Sequence, residues 1–237
     1  MRPQCEGAKA TLRKAPGGYG SAGGLVNCAF IALLALIVLA APARAAATAR
    51  ILLLGDSLAA GFGLPPEDTI PARLEAQLKA DGVAAKVVNG GVSGDTTAGG
   101  LARLDWALGD KPDYALVELG ANDALRGLDP QAAFANLDKI LARLEAAGVK
   151  ALLIGMRAPA NWGPDYQTAF DAIYPRLAAK WRVPLYPFLL EGVALDPRLN
   201  QADGLHPNAQ GVAVIVQRMA PFVERLLAQG SQAAGPG

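Results

Sequence analysis

The chain has 237 residues, 52% hydrophobic and 18% charged, with a formal net charge of +1. The charge is uneven: residues 1–49 hold five Lys/Arg against one acid, Glu6, leaving 17 basic and 20 acidic residues from Arg50 onward, a net of −3. A mildly acidic body of about 190 residues suffices for one well-buried domain, and it offers no electrostatic basis for a nucleic-acid partner.

The first segment explains the asymmetry. Arg2, Lys9, Arg13 and Lys14 come first, Leu25 to Ala41 is nearly all apolar, and Ala-Pro-Ala-Arg-Ala-Ala-Ala follows. This order of basic, apolar and small residues predicts a cleaved secretory signal over 1–47, with Ala43, Ala45 or Ala47 as the last residue removed. The alternative is an uncleaved membrane anchor, since about 17 apolar residues is the short end of a span. Export to the periplasm or outside the cell is the expected localisation. Both cysteines, Cys5 and Cys28, fall in this leader. The body therefore has no thiol nucleophile, disulfide or cysteine metal site.

From Arg50 short apolar runs alternate with longer amphipathic ones. Strands are predicted at 50–54, 84–88, 114–119, 151–154 and 185–188. Helices are predicted at 71–80, 96–108, 130–147, 166–180 and 207–227. Pro175 should kink the fourth helix or start a new turn, and Pro207 suits the first turn of the fifth. Such β-α alternation predicts one α/β domain over 48–228, with a five-stranded parallel sheet and helices on both faces. Residues 229–237, rich in Gly, Ser, Gln, Ala and Pro, are expected to be a flexible tail.

The strand ends of a parallel sheet share one edge, and polar residues cluster at those ends. Gly55-Asp56-Ser57 follows the first strand, Ser93-Gly94-Asp95 the second and Gly120-Ala121-Asn122-Asp123 the third. Ser57 supplies an oxygen nucleophile, Gly94 an unobstructed backbone N–H and Asn122 an amide donor. His206 is the only histidine, so any imidazole base must be His206. Asp203 lies three residues before it, a spacing at which a carboxylate in a tight turn reaches the near ring nitrogen and leaves the far one for serine. Taken singly these residues read equally well as turn and cap positions. Their joint placement at successive strand ends favours an acyl-transfer site.

Gly55-Asp56-Ser57-Leu58, Ser93-Gly94-Asp95-Thr96, Gly120-x-Asn122-Asp123 and Asp203-x-x-His206 resemble the four blocks of the SGNH (GDSL-type) hydrolase family. The resemblance is closest to its bacterial periplasmic acyl-CoA thioesterase, lysophospholipase and arylesterase branch. It covers about residues 50–228, and the combination of blocks is more specific than any one of them. It implies a three-layer α/β/α, flavodoxin-like fold. It also implies Ser57 as nucleophile, His206 as base, Asp203 as its orienter, and an oxyanion hole from the Ser57 N–H, the Gly94 N–H and the Asn122 side chain. The third block reads Gly-Ala-Asn-Asp where close relatives often have Gly-Gly-Asn-Asp, a change tolerable if Ala121 has negative φ. A Gly-x-Ser-x-Gly α/β-hydrolase is disfavoured, because its serine follows later strands and its Asp and His sit on separate loops.

The expected reaction is two-step hydrolysis of a small-molecule acyl ester or thioester, with no metal and no cofactor. Leu125, Trp162 and Tyr166, with Phe62, are candidates for an acyl groove suited to aryl esters, lysophospholipids and short to medium acyl thioesters. Transient contact with a lipid substrate is compatible with this; packing under a loop is the other use for the two aromatics. The alternatives are a carbohydrate O-acetylesterase of the same fold, or a non-catalytic binding module that holds a small anion at helix N-termini. Nothing in the sequence fixes the oligomeric state.

Overall fold

The computed structural model describes residues 48–233. The expected leader and residues 234–237 lie outside the described residues. Five parallel strands, β1 (Ala49–Gly55), β2 (Ala85–Gly91), β3 (Tyr114–Glu118), β4 (Lys150–Ile154) and β5 (Leu185–Tyr186), form one sheet in the order β2-β1-β3-β4-β5. Strands β1, β3 and β4 are nearly continuous apolar runs because both faces are covered: Ile51 to Leu54, Ala115 to Val117 and Leu152 to Ile154 are all buried.

Helices α1 (Ser57–Ala60), α2 (Ile70–Ala80), α3 (Thr97–Ala102), α4 (Leu104–Ala107), α5 (Ala121–Leu125), α6 (Pro130–Ala146), α7 (Pro164–Asp171), α8 (Ile173–Trp181) and α9 (Ala209–Ala233) complete the described fold. Helices α2 and α9 pack on each other, as do α3 and α8 on α6, so the sheet lies between two helical layers. Helix α6 buries Ala133, Leu137, Ile140, Leu141 and Leu144, the stripe expected of an amphipathic helix.

Several predicted elements change at their ends. The single helix expected over 96–108 is two, broken at Arg103, whose side chain turns inward to Asp95 and the Gly55 carbonyl. The helix expected over 166–180 starts earlier, at Pro164, and breaks at Ala172, which leaves Pro175 in the first turn of α8, where a missing N–H costs least. Strand β5 stops at Tyr186 because Pro187 has no N–H for the ladder. Pro207 does not open the last helix: it pairs with Asn200 in an antiparallel bridge. Asn208 caps α9 instead, its Oδ1 accepting from Gln210 and Gly211 N–H at 3.0 Å each. Helix α9 continues through Ala233, over the first five residues of the expected tail.

The order 2-1-3-4-5 places the switch point at β1, whose neighbours β2 and β3 are reached in opposite directions. Gly55 ends that strand. A methyl there would meet Glu118 Oε2 at 2.2 Å, the Ala59 methyl at 2.6 Å and the Glu118 carbonyl at 2.9 Å. Gly55→Ala is therefore expected to destabilise the fold by roughly 2–3 kcal/mol, which calorimetry would register as a Tm lower by about 5–10 °C.

Candidate active site

Each residue singled out at the strand ends arrives at one edge of the sheet. The chain leaves β1 at Gly55 and enters α1 at once. Asp56 is the N-cap, its Oδ1 accepting the Leu58 N–H at 3.0 Å, so Ser57 is the first residue of the helix. Gly94 follows β2 with φ of +86°, a left-handed conformation natural to glycine, and its carbonyl accepts from the Arg126 guanidinium at 3.0 Å. Gly120 follows β3 with φ of +120°, and a methyl on it would meet the Tyr174 hydroxyl at 2.2 Å. Ala121 is not among the positive-φ residues, so its methyl is accommodated as expected.

His206 lies in the loop before α9. Its Nε2 is 3.0 Å from Ser57 Oγ and its Nδ1 is 2.7 Å from Asp203 Oδ2. Asp203 Oδ1 accepts the Leu205 N–H at 2.9 Å and the His206 N–H at 3.0 Å, so the loop's own backbone fixes the carboxylate. Those bonds, the His206 N–H first, hold its pKa at about 2. Asp203 is therefore ionised at every pH at which imidazole acts as a base. A serine, an imidazole and an ionised carboxylate in line form a proton-transfer chain of the kind that activates a hydroxyl. Neither the Ser57 nor the Gly94 backbone N–H has an acceptor among the described residues.

These groups open into a cleft of about 590 Å³ whose lining includes Phe62, Leu125, Met156, Phe188, Leu195 and Leu205. Phe62 lies against the His206 ring, with centroids 4.6 Å apart. Phe62, Leu125 and Leu205 are each about half exposed, and Leu195, held at φ of +64°, is 91% exposed. Arg157 also lines the cleft, with its guanidinium 5.0 Å from the Phe188 ring centre.

Of the three expected groove residues, Leu125 lines the cleft, while Trp162 and Tyr166 do not. Trp162 Nε1 donates to the Ala124 carbonyl at 2.8 Å, and its ring covers Gly127. Tyr166 donates to the Leu128 carbonyl at 2.8 Å, and Tyr174 to the Leu119 carbonyl at 3.0 Å. With Phe170 these rings form a ladder, successive centroids 6.0–6.3 Å apart, that buttresses α5 from behind. They hold the segment that carries Asn122. Met156, Phe188, Leu195 and Leu205 were not anticipated, because the loops that carry them have no periodic signature.

A pair of buried carboxylates was also missed. Asp56 and Glu118 are both fully buried, and the Asp56 N–H donates to Glu118 Oε2 at 3.1 Å. Burial pushes Asp56 up to about 6, and burial together with the Asp56 charge pushes Glu118 well above the usual carboxylate range. The available signal was an acid closing the apolar run Tyr114-Ala-Leu-Val-Glu118.

Side chains in this arrangement, on this fold, define a hydrolase of carboxylic esters. Residues 53–214 match the GDSL-like Lipase/Acylhydrolase family, and the chain belongs to it. It is 44% identical over 185 residues to "Thioesterase 1/protease 1/lysophospholipase L1" of Escherichia coli (strain K12), covering 78% of this chain and 88% of that protein. It is 41% identical over 179 residues to "Arylesterase" of Vibrio mimicus, covering 75% and 90%. Among solved structures it is similar to AlinE4, described as an SGNH-hydrolase family esterase, with 47% identity and a TM-score of 0.65 over 80% of this chain and 98% of that one.

An Asp whose folded pKa lies above its unfolded value binds its proton more tightly when folded. Its contribution to stability is therefore greatest in acid and is lost as pH rises from about 4 through about 6. Asp56→Asn lacks this loss. Denaturant unfolding at pH 4 and pH 8 should show the variant gaining on the wild type by on the order of 1–2 kcal/mol at the higher pH.

Proposed function

We propose that Ser57, His206 and Asp203 are the catalytic residues of this ester hydrolase. The observation that carries the reading is the pair of contacts on one imidazole, 3.0 Å to Ser57 Oγ and 2.7 Å to Asp203 Oδ2. His206 Nε2 takes the hydroxyl proton as Ser57 Oγ bonds to the acyl carbon. The charged Asp203 steadies the imidazolium, which then gives its proton to the departing alkoxide or thiolate. A water activated by the same imidazole clears the acyl-serine. The Ser57 and Gly94 backbone N–H groups and the Asn122 amide are the donors for the developing oxyanion, each worth about 10²–10³ in rate.

Aryl esters, lysophospholipids and short to medium acyl thioesters are the proposed substrates. The names of the relatives in Escherichia coli and Vibrio mimicus support this range, and so does the apolar cleft. Half-exposed Phe62, Leu125 and Leu205 at its mouth suit an acyl chain better than a sugar and allow transient contact with lipid aggregates. Export is proposed for the same protein, on the basic, apolar and alanine-rich order of residues 1–47. No helix among the described residues is long and apolar enough to cross a membrane.

A fluorophosphonate should label Ser57 alone, seen as one added mass on the peptide that contains it. Absence of an adduct on active protein would refute the assignment. Asp203→Asn should lower kcat by about 10²–10⁴ while KM stays near wild type, since it unsettles the imidazole without touching the cleft. A p-nitrophenyl ester series from acetate to palmitate should give a kcat/KM that rises beyond acetate. Leu205→Asp should flatten that rise by roughly tenfold at the longer chains, since about 1.4 kcal/mol of apolar contact is a factor of ten.

A further inference from the structure

No step of the proposed reaction uses Glu118. It closes β3, and its side chain is wholly buried beside β1. Oε2 accepts the Asp56 N–H at 3.1 Å, and Oε1 is buried with no partner among the described residues. A carboxyl in such a place is costly, and an apolar residue of similar size would fill the same space. What distinguishes it is the chain of contacts that it begins. Asp56, seated on Glu118 by its N–H, offers Oδ2 to the Asn122 amide at 3.1 Å. The same amide nitrogen also donates to the Asp95 carbonyl at 2.9 Å. Asp95 is in turn held by Arg103, whose Nη2 also reaches the Gly55 carbonyl at 2.8 Å. Both protons of the Asn122 amide are thus held in the resting site, one by Asp56, braced through Glu118, and one by the Asp95 carbonyl, braced through Arg103. An oxyanion is served by sharing one of them in a three-centre bond, so the direction in which they are held sets how well it is met.

We infer that Glu118 is a positioning residue for the oxyanion donor, acting through Asp56 on the Asn122 amide. The inference rests on the reading of Asn122 as that donor. Of the two buried acids, Glu118 keeps its proton longer, since the Asp56 charge adds to its burial. The single negative charge of the pair then sits on Asp56, where it faces the amide. The neutral Glu118 is left to receive the Asp56 N–H and to fix the turn from which both Asp56 and Ser57 project. Gln at this position reproduces a neutral acceptor; Met fills the volume and provides none.

The test is a double-mutant cycle read as kcat and KM on p-nitrophenyl butyrate, with thermal melting of every variant. Glu118→Met should lower kcat by about ten- to a hundredfold with KM within about twofold of wild type. Glu118→Gln should restore kcat to within about threefold. In an Asn122→Ala background, Glu118→Met should cost no more than about threefold, because the group it positions is gone. A packing role would instead multiply by the same factor in both backgrounds. That result, an effect confined to KM, or an unaltered Glu118→Met would overturn the inference. If Asn122→Ala alone keeps full kcat, the oxyanion reading itself falls, so the two failures are distinct. Should Glu118→Met not fold, Asp56→Asn carries the same cycle. It keeps the cap on Leu58 and removes the carboxylate from Asn122; non-additivity with Asn122→Ala is expected, and additivity overturns the inference.

Discussion

The site depends on a close approach at Gly55. Here β1 ends between β2 and β3, and the absence of a Cβ lets the Glu118 carboxyl and the Ala59 methyl occupy the space beside the strand end. That approach seats the Asp56 N–H on Glu118, lets Asp56 cap α1, and makes Ser57 the first residue of a helix rather than part of a loose loop. Ser57 owes the position of its half-buried hydroxyl, and its open backbone N–H, to this one turn. The cost is two carboxylates buried side by side, both with raised pKa. Functional sites commonly hold strain of this kind and recover it from a well-packed scaffold, which here is the doubly covered sheet of Ile51 to Leu54 and Ala115 to Val117.

The imidazole depends on a different device. The Asp203–His206 turn makes its own carboxylate site, with two backbone N–H groups on one oxygen and the ring on the other. It needs only to be anchored, and the Asn200–Pro207 bridge and the Asn208 cap on α9 do that. This explains why Pro207 sits outside the helix: its residue pairs across the turn that presents His206, and α9 begins once that turn is closed.

Much of this was legible in sequence because it is local. Five apolar runs gave five strands, and the spacing of Asp203 and His206 gave a contact of 2.7 Å without reference to the fold. Gly94 was readable as a turn glycine, and Ser57 as a residue at a helix start. What stayed hidden depends on approach between distant segments. Trp162 and Tyr166 were expected in the groove from their place after β4, but a ring's direction is set by what its polar atom can reach. Here that is the carbonyls of Ala124 and Leu128. Arg103 breaks a helix that periodicity would run through, because its guanidinium has partners 8 and 48 residues away. Glu118 looks like a polar residue at a strand end until Gly55 is seen to make room for it.

The ladder of Trp162, Tyr166, Phe170 and Tyr174 bears on how the site tolerates an open cleft. Helix α5 is five residues long and begins at a glycine with φ of +120°, too short to hold its own shape. Yet it carries Asn122, whose amide must stay aligned for the proposed role. The ring polar groups tie it down at the Ala124 carbonyl within it and at the carbonyls of Leu119 before it and Leu128 after it. Asp123, buried on the same helix, joins it to α3 by accepting the Thr97 N–H at 2.8 Å and hydroxyl at 2.7 Å. The next residues of α5, Ala124 and Leu125, face the cleft. One short helix thus carries the proposed donor and part of the cleft lining, and it is held from outside by rings that do not line the cleft. Separating these tasks lets the cleft lining change while the proposed oxyanion donor stays fixed.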